Sequence, residues 1–442
     1  MRHGSSARRA SALAAVIAIF VSACGEARSP SGTSSGTSAS SSAAASSSAI
    51  ASASGSSSSR PSTPDPATPL DVSPGSFDPA ANPDLTRRIA ESPHAFFRFV
   101  NRAFMQAVCA RTDSSKLAWP PVRLHGDPHV EQYTVTELGR GLYDYDDAAV
   151  GPAAIDLVRF ATSVRLANAL IGGGKDDAER LVKALLDAYR AGIAGATIPA
   201  EAPAFARGLA AKFKSDRKAF LEGADKAMLE LAASDTELVR AELALYTKSV
   251  KGADVKRSAK YFDLKRFGGL KLGIGSALTR KFLLRVEGAS ASPDDDVLLE
   301  LKQASDLSAV SCVKALPDGA AEARAAVQRR AKNTTLAVPA AIDDGRFWVS
   351  EWLMNYEEAR VKNLKLDDLA ELVHEAGLLL AAEHQKAASA SAAPPTAKSL
   401  TLSADQEAFL VRTSRELAED SETAWAHFKR DFASAATQGK SG

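Results

Sequence analysis

The sequence predicts an α+β protein of two lobes, a helical one and a smaller β one, following a disordered N-terminal tether. Three observations carry this expectation. Residues 24–83 are almost all Ser, Ala, Gly, Thr and Pro, and such a stretch buries too little apolar surface to offset its ordering entropy. Apolar residues recur at helical spacing after Ser92-Pro93, and again over 175–250 with few turn residues. From about Phe262 to residue 353, glycines punctuate short runs that alternate or stay apolar, as sheet strands do.

The first 23 residues read as a signal. Arg2, Arg8 and Arg9 form a basic start, and residues 11–23 form an apolar, small-residue run that is too short to span a bilayer as a mature helix. It ends in Val21-Ser22-Ala23-Cys24, which resembles a bacterial lipobox. That makes 1–23 a lipoprotein signal peptide and Cys24 the lipidated residue, anchoring the chain to a membrane of the cell envelope. Gly25 lacks the Asp that holds such proteins at the inner membrane, so the expected place is the outer membrane or periplasmic face of a diderm cell, otherwise the outer face of the cell membrane. An ordinary secretory signal cleaved near Ala23 is the alternative.

The chain of 442 residues carries a net charge of +1. The three signal arginines account for +3 of that, leaving the mature chain near −2. This balance argues against nucleic acid as a partner, and nothing in it points to a protein partner. Cys109 and Cys312 are compatible with a disulfide or with two buried thiols, and no cysteine spacing fits zinc. The folded part, about 84 to 435, exceeds one usual core and favours two lobes.

Ser92-Pro93 suits a helix start, as N-cap and first-turn proline, and Phe96, Phe99, Val100, Ala103 and Ala107 continue it. Residues 122–124 read as a strand. Two further strands, 133–136 and 142–144, flank a turn at 137–141. Gly151-Pro152 reads as a helix opening, and 175–250 as helical throughout. That completes a helical lobe over 84–261. The β lobe, 262–353, carries strands near 282–286, 297–302, 335–342 and 347–353, with a helix at 318–331. Helices at 366–387 and 403–432, split by the Ala/Ser/Pro-rich stretch 388–396, make up a C-terminal part over 354–435 before a disordered tail, 436–442.

The densest chemistry lies at His125-Gly126-Asp127-Pro128-His129-Val130-Glu131-Gln132 and at Tyr143-Asp144-Tyr145-Asp146-Asp147. One carboxylate sits beside two imidazoles, and three more follow a short hairpin. Apolar cores do not call for this. Metal–phosphate chemistry does, because oxygen ligands hold Mg²⁺ and a poised carboxylate can deprotonate an attacking hydroxyl.

These residues, with Gly151-Pro152 and Asp156-Leu157-Val158-Arg159, resemble the bacterial domain of unknown function 2252, whose pattern there is GDxHxxN, DFDE, GP and DLxR. The resemblance continues at Phe96-Phe97-Arg98, Gly273-Ile274-Gly275-Ser276, Leu301-Lys302-Gln303-Ala304 and Leu380-Ala381-Ala382-Glu383-His384. The core also resembles the aminoglycoside-phosphotransferase branch of the protein-kinase-like fold. That resemblance implies Asp127 as catalytic carboxylate, Asp144 as Mg²⁺ ligand and Gln132 at the position of a metal-binding Asn. Asp146 and Asp147 would stand behind the metal or face substrate, with His125 and His129 flanking. Gly273, Gly275 and Ser276 would present backbone N–H groups to a nucleoside triphosphate or other phosphoryl donor. Lys302 would neutralise its phosphates, Glu322 would position Lys302, and 347–353 would be the hinge on which an adenine stacks. The catalytic loop precedes the phosphate loop, so the fold implied is circularly permuted.

The function expected is a Mg²⁺-dependent phosphotransferase acting on a small-molecule or envelope hydroxyl. Gln132, Leu278 and Gln303 depart from the pattern, and an envelope protein meets little ATP. The first alternative is therefore a catalytically degenerate kinase-like binding module, and the second a metal-dependent hydrolase built on His125, Asp127 and His129. Asp156 and Arg159, one helical turn apart, read as a mutual pair, and His384 as a satisfied core histidine.

Overall fold

A computed structural model describes residues 67–73, 75–250, 261–275, 277–316, 318, 319, 321, 340–343, 345–387 and 393–433. The signal, Cys24, most of the tether, Ser276, Glu322, most of the 318–331 helix, the start of the 335–342 strand and the tail lie outside the described residues.

The packed chain begins inside the stretch assigned to the tether. Leu70 and Phe77, isolated apolar residues among polar ones, are buried. The Phe77 ring meets Phe99 at 5.3 Å and Phe428 at 5.9 Å between centroids. Helix α1 (Pro83–Ala90) follows, then α2 (Pro93–Phe99), whose Ser92 hydroxyl accepts from the Ala95 N–H at 3.1 Å. The backbone leaves helical geometry at Val100 and re-enters it in α3 (Asn101–Ser115).

Strands β1 (Pro121–Leu124), β2 (Tyr133–Thr136), β3 (Gly139–Leu142) and β4 (Ala149–Pro152) come next. The β2–β3 turn is only Glu137-Leu138, with Thr136 opposite Gly139 and Tyr133 opposite Leu142. The second hairpin strand therefore ends at Leu142, two residues earlier than the expected 144, and Asp144 lies beyond it. Gly151-Pro152 does not open a helix. It closes β4, paired with Val122 and Pro121 of β1, since a strand end tolerates the missing N–H of proline.

Helix α4 (Ala154–Leu170) is buried on every side from Ala154 to Asn168, which marks it as the central element of the helical lobe. The stretch 175–250 is four helices, not one continuous run: α5 (Lys175–Ile193), α6 (Ala204–Ala210), α7 (Arg217–Ala227) and α8 (Ala233–Val250). The Pro199 and Pro203 segment and the Asp216 side chain, which caps α7 at Ala219 N, supply the breaks.

The β lobe is an antiparallel sheet of β5 (Leu264–Gly269), β6 (Lys281–Val286), β7 (Val297–Gln303), β9 (Ala340–Ile342) and β10 (Phe347–Glu351), in the order β5-β6-β7-β10-β9. Alternation gives it two distinct faces. One carries Phe282, Leu284, Leu299, Leu301 and Val349 against Val239, Leu243 and Tyr246 of α8. The other carries Leu283 and Leu298 against Phe220, Leu221 and Ala224 of α7.

Two short strands tie the β lobe to the helical lobe. β8 (Lys314–Ala315) extends the β1–β4 sheet, and β11 (Tyr356–Glu358) pairs with β2. A disulfide joins Cys109 of α3 to Cys312, just before β8. Helices α9 (Leu366–His384), α10 (Ala397–Leu400) and α11 (Ala404–Phe428) follow, with α9 packed on α5 and α11 on α4, and a π-helical turn (Lys429–Ala433) ends the described chain. The whole is α+β, with helices and three small antiparallel sheets. Among the described residues no helix is long and apolar enough to cross a membrane.

Candidate functional site

The loop between β1 and β2 is fixed from beneath by α4. Asp156, fully buried, accepts from the backbone N–H of His125 at 2.7 Å and of Gly126 at 3.0 Å. It also meets His384 Nε2 at 3.1 Å, and Tyr189 meets the other nitrogen of that ring at 3.0 Å. His384 is thus a satisfied core histidine. Gly126 has φ +89°, and a Cβ there would lie 1.8 Å from the Asp147 carbonyl oxygen. Only glycine permits that approach, which presses the loop against the end of the acidic segment 144–147.

Arg159 does not pair with Asp156. It donates Nε and Nη2 to Oδ1 of Asp127 at 2.9 and 2.7 Å, and Nη2 also to the Phe97 carbonyl at 3.1 Å. Its guanidinium lies 3.6 Å above the Phe97 ring centroid. Both α4 residues anchor the loop, each through its own partner. The second oxygen of Asp127, Oδ2, faces His129 Nε2 at 3.9 Å and Gly275, whose Cβ position is 3.4 Å away. Burial pushes the Asp127 carboxyl up to about 7 against the pull of Arg159.

The two histidines are not equivalent. His125 Nε2 meets the Tyr143 carbonyl at 3.0 Å, and the Asp127 N–H donates to its Nδ1 at 3.3 Å. Since a carbonyl only accepts, Nε2 carries the proton, and the ring has no lone pair left for a metal. His129 is fully desolvated, which holds it well below the usual imidazole range and neutral.

Across from this loop stands the lysine of β7. Lys302 Nζ contacts Oδ1 of Asp144 and Oδ2 of Asp146, and Trp348 of β10 donates to Asp146 Oδ1 at 3.1 Å. Asp144 has φ +67°, a costly conformation for a residue with a Cβ, and a third of its side chain is exposed. Burial works against its charge, yet Lys302 keeps it well below the usual carboxylate range. Asp146, more deeply buried and beside Asp144, is pushed well above that range. Lys302 stays charged because these carboxyls outweigh its own desolvation.

A second lysine was not singled out by sequence reasoning. Lys281 of β6 lies directly opposite Lys302 in the ladder, is buried, and donates to the Leu272 carbonyl in the segment between β5 and β6. Burial and the neighbouring Lys302 lower it to about 8. The same segment holds Gly273 (φ +84°), whose carbonyl accepts from Arg88, and Gly275, which sits against Asp127 and the Arg98 carbonyl. Of the expected pieces, Lys302 therefore meets Asp144 and Asp146, and Gly275 meets Asp127.

Gln132 is buried, and its backbone carbonyl accepts from the Tyr143 N–H at 3.0 Å, next to Asp144. Asp147 is half-buried at the end of the acidic segment. Among the described residues no group of three or more His, Cys, Asp and Glu side chains is arranged to hold a metal. The expected adenine hinge is covered: Trp352 stacks on Phe220 of α7 at 5.6 Å, and Leu353 is buried with Leu138 and Tyr143.

A family model described as an uncharacterised protein conserved in bacteria (DUF2252) matches residues 78–201 and 205–431. No curated protein and no solved structure matches the chain.

Proposed function

Because the chain belongs to the DUF2252 family, whose description names no reaction, we propose from the site itself that this is a phosphoryl-transfer centre of kinase-like, circularly permuted layout. The observation that carries the reading is Lys302, buried on the third strand of the sheet and reaching Asp144 and Asp146, while Gly275 abuts Asp127. Protein kinases use a strand lysine, a glycine-rich loop, a catalytic carboxylate and a metal-binding Asp in these roles.

In this reading Asp127 Oδ2 takes the proton of an acceptor hydroxyl. The oxygen–phosphorus bond forms as the bond between that phosphorus and the leaving phosphate oxygen breaks. A carboxyl near 7 is well matched to proton transfer at neutral pH. Arg159 holds the carboxylate still through Oδ1, and Lys302 balances the charge gathering on the leaving phosphate. Asp144, ionised and partly exposed, and Gln132 offer oxygen donors of the kind Mg²⁺ takes. That ion fills its remaining positions with water and phosphate, so a three-ligand protein cage is not required. Bound Mg²⁺ would supply charge neutralisation on the phosphates.

The Cys109–Cys312 disulfide supports an oxidising compartment, in keeping with the signal-like N-terminus and a lipid anchor at Cys24. A second reading, a binding module without turnover, draws on the two-donor grip of Arg159 on Asp127. The hydrolase reading loses His125 as a ligand and is not carried further.

The test is a thermal-unfolding series on the full chain with Mg²⁺ and pyrophosphate, tripolyphosphate or ATP. Mg²⁺-dependent stabilisation by at least one of them, lost in Asp144→Asn, is the expected result. No stabilisation by any of them ends the proposal. If Asp127→Asn binds and a search for turnover in the wild type stays empty, the binding module is the correct form.

A further inference from the structure

The face of the β sheet that bears Lys302 is not open along its length. Residues 298, 300 and 302 of β7 and 281 and 283 of β6 share that face by alternation, with Trp348 of β10 beside Lys302 in the register. At one end stand the two lysines. Two to four residues along, about 7–13 Å away at the strand rise, Leu283 and Leu298 are sealed under Phe220, Leu221 and Ala224 of α7.

This seal is built in. Arg285 of β6 binds Asp225 of α7 at 2.9 Å and Asp296 at 2.7 Å. Arg217 of α7 donates to the Asp294 and Asp296 carbonyls at 2.8 and 2.6 Å. The chain leaving α7 then bridges Leu229 to Gly269 at the edge of β5, with backbone bonds of 3.0 and 2.9 Å. A nucleotide whose phosphates meet Lys302 would lay its base along this face toward the expected hinge, and there Phe220 already stacks on Trp352.

The lysine end has the opposite character. Two ammonium groups directly across a ladder repel, and the carboxyls near them are Asp144 and Asp146 on Lys302 and Glu300 on the same face. An anion that reaches both lysines relieves that repulsion.

Building on the phosphoryl-transfer reading, we propose that the ligand of the Lys281–Lys302 corner is a chain of phosphates without a nucleobase, such as pyrophosphate or inorganic polyphosphate, because α7 occupies the place of a base. Lys281 is then a phosphate-binding residue alongside Lys302. A base-free donor also removes the difficulty of ATP supply in the envelope.

The experiment is calorimetric titration of the full chain with tripolyphosphate and with ATP, both with Mg²⁺, for wild type and Lys281→Met. Support is tripolyphosphate binding with ATP less than threefold tighter, and a loss of at least fivefold in Lys281→Met. ATP binding tighter by threefold or more would overturn the inference while leaving the phosphoryl-transfer reading standing. Binding of neither would sink that reading, and this one with it. Unchanged affinity in Lys281→Met would remove the lysine pair from the site. Phe220→Ala opens the covered face and serves as a second variant. A gain for ATP of fivefold or more over tripolyphosphate, absent in wild type, would identify α7 as the element that excludes the base, and no gain in the folded variant would contradict that.

Discussion

Asp127 is the residue whose removal speaks most directly to the site. Its carboxyl is raised from an ordinary value near 3.8 to about 7, chiefly by burial. A raised carboxyl makes the folded protein bind a proton that the unfolded chain has already released. Its contribution to stability is therefore complete below about pH 3.8 and is lost as pH rises through about 7. Three pH units at roughly 1.4 kcal/mol each set the full span near 4 kcal/mol, of which about 2–3 kcal/mol falls between pH 5 and 8. Asp127→Asn cannot titrate. It also leaves Arg159 buried without its anion, an absolute loss of about 3–5 kcal/mol, so the informative quantity is the slope and not the level. Urea unfolding of wild type and variant at pH 5, 6.5 and 8 measures it. The wild type should lose about 2–3 kcal/mol more than the variant over that interval. The double variant Asp127→Leu/Arg159→Met removes both charges, should recover much of the lost stability, and should share the flatter slope. Parallel slopes in all three proteins would show that Asp127 does not titrate in the folded state near neutrality, and the case for it as a base poised at pH 7 would fall with them.

Other perturbations follow from the same geometry. Gly126→Ala sets a Cβ 1.8 Å from the Asp147 carbonyl at φ +89° and should cost more than about 4 kcal/mol, visible as loss of the cooperative unfolding transition. Gly275→Ala has an ordinary φ but a Cβ 3.1 Å from the Arg98 carbonyl and 3.4 Å from Asp127 Oδ2. It should cost about 1–3 kcal/mol by overpacking and weaken Mg²⁺–tripolyphosphate binding tenfold or more by calorimetry; unchanged binding would move the phosphate elsewhere. Reducing the Cys109–Cys312 bond, or replacing both by Ser, should lower stability by about 2–5 kcal/mol, read as a dithiothreitol-sensitive urea midpoint that the double variant lacks. If turnover is found, its rate should climb with pH through about 7 as Asp127 ionises and should lose that limb in Asp127→Asn.

Asp127 and Asp144 were legible in the sequence because charge density in a short loop is itself an anomaly, whereas Lys302, beside Glu300 on a strand, reads as an exposed charge and stood out only through the family resemblance. The partners of these residues were not legible. Asp156 and Arg159 sit three apart, which reads as a pair, but both occupy the start of a helix buried all round. There a backbone loop and a second carboxylate compete for them and win. Lys281 follows Arg280 at a strand start and looks like another exposed charge; only the register that sets it against Lys302 gives it a role. The pattern of α7 announces that Phe220 and Leu221 pack, but not which face of which sheet receives them. Leu70 and Phe77 show the reverse case, where composition alone hid two anchors in a Ser- and Pro-rich run.

The site also departs from what stability alone would select. Arg159 with Asp127, Lys302 with Asp144, and Arg98 with Glu131 are ion pairs largely withdrawn from water. Such pairs rarely repay their desolvation, and apolar residues of similar volume would serve the fold as well or better. Three of them cluster around one junction between lobes, along with a strained Asp144 backbone and glycines pressed against carboxyl and carbonyl oxygens. Buried ion pairs also occur away from this junction, as Arg123 with Glu383 and Arg140 with Glu375, within the apolar packing around α4. What sets the junction apart is their concentration there beside the Asp144 backbone and the two glycines, and that concentration is what favours the reading proposed above. The proposal of a cation bound beside a polyanion rests on this arrangement, Asp144 and Asp146 on Lys302 with Lys281 next to it in the ladder.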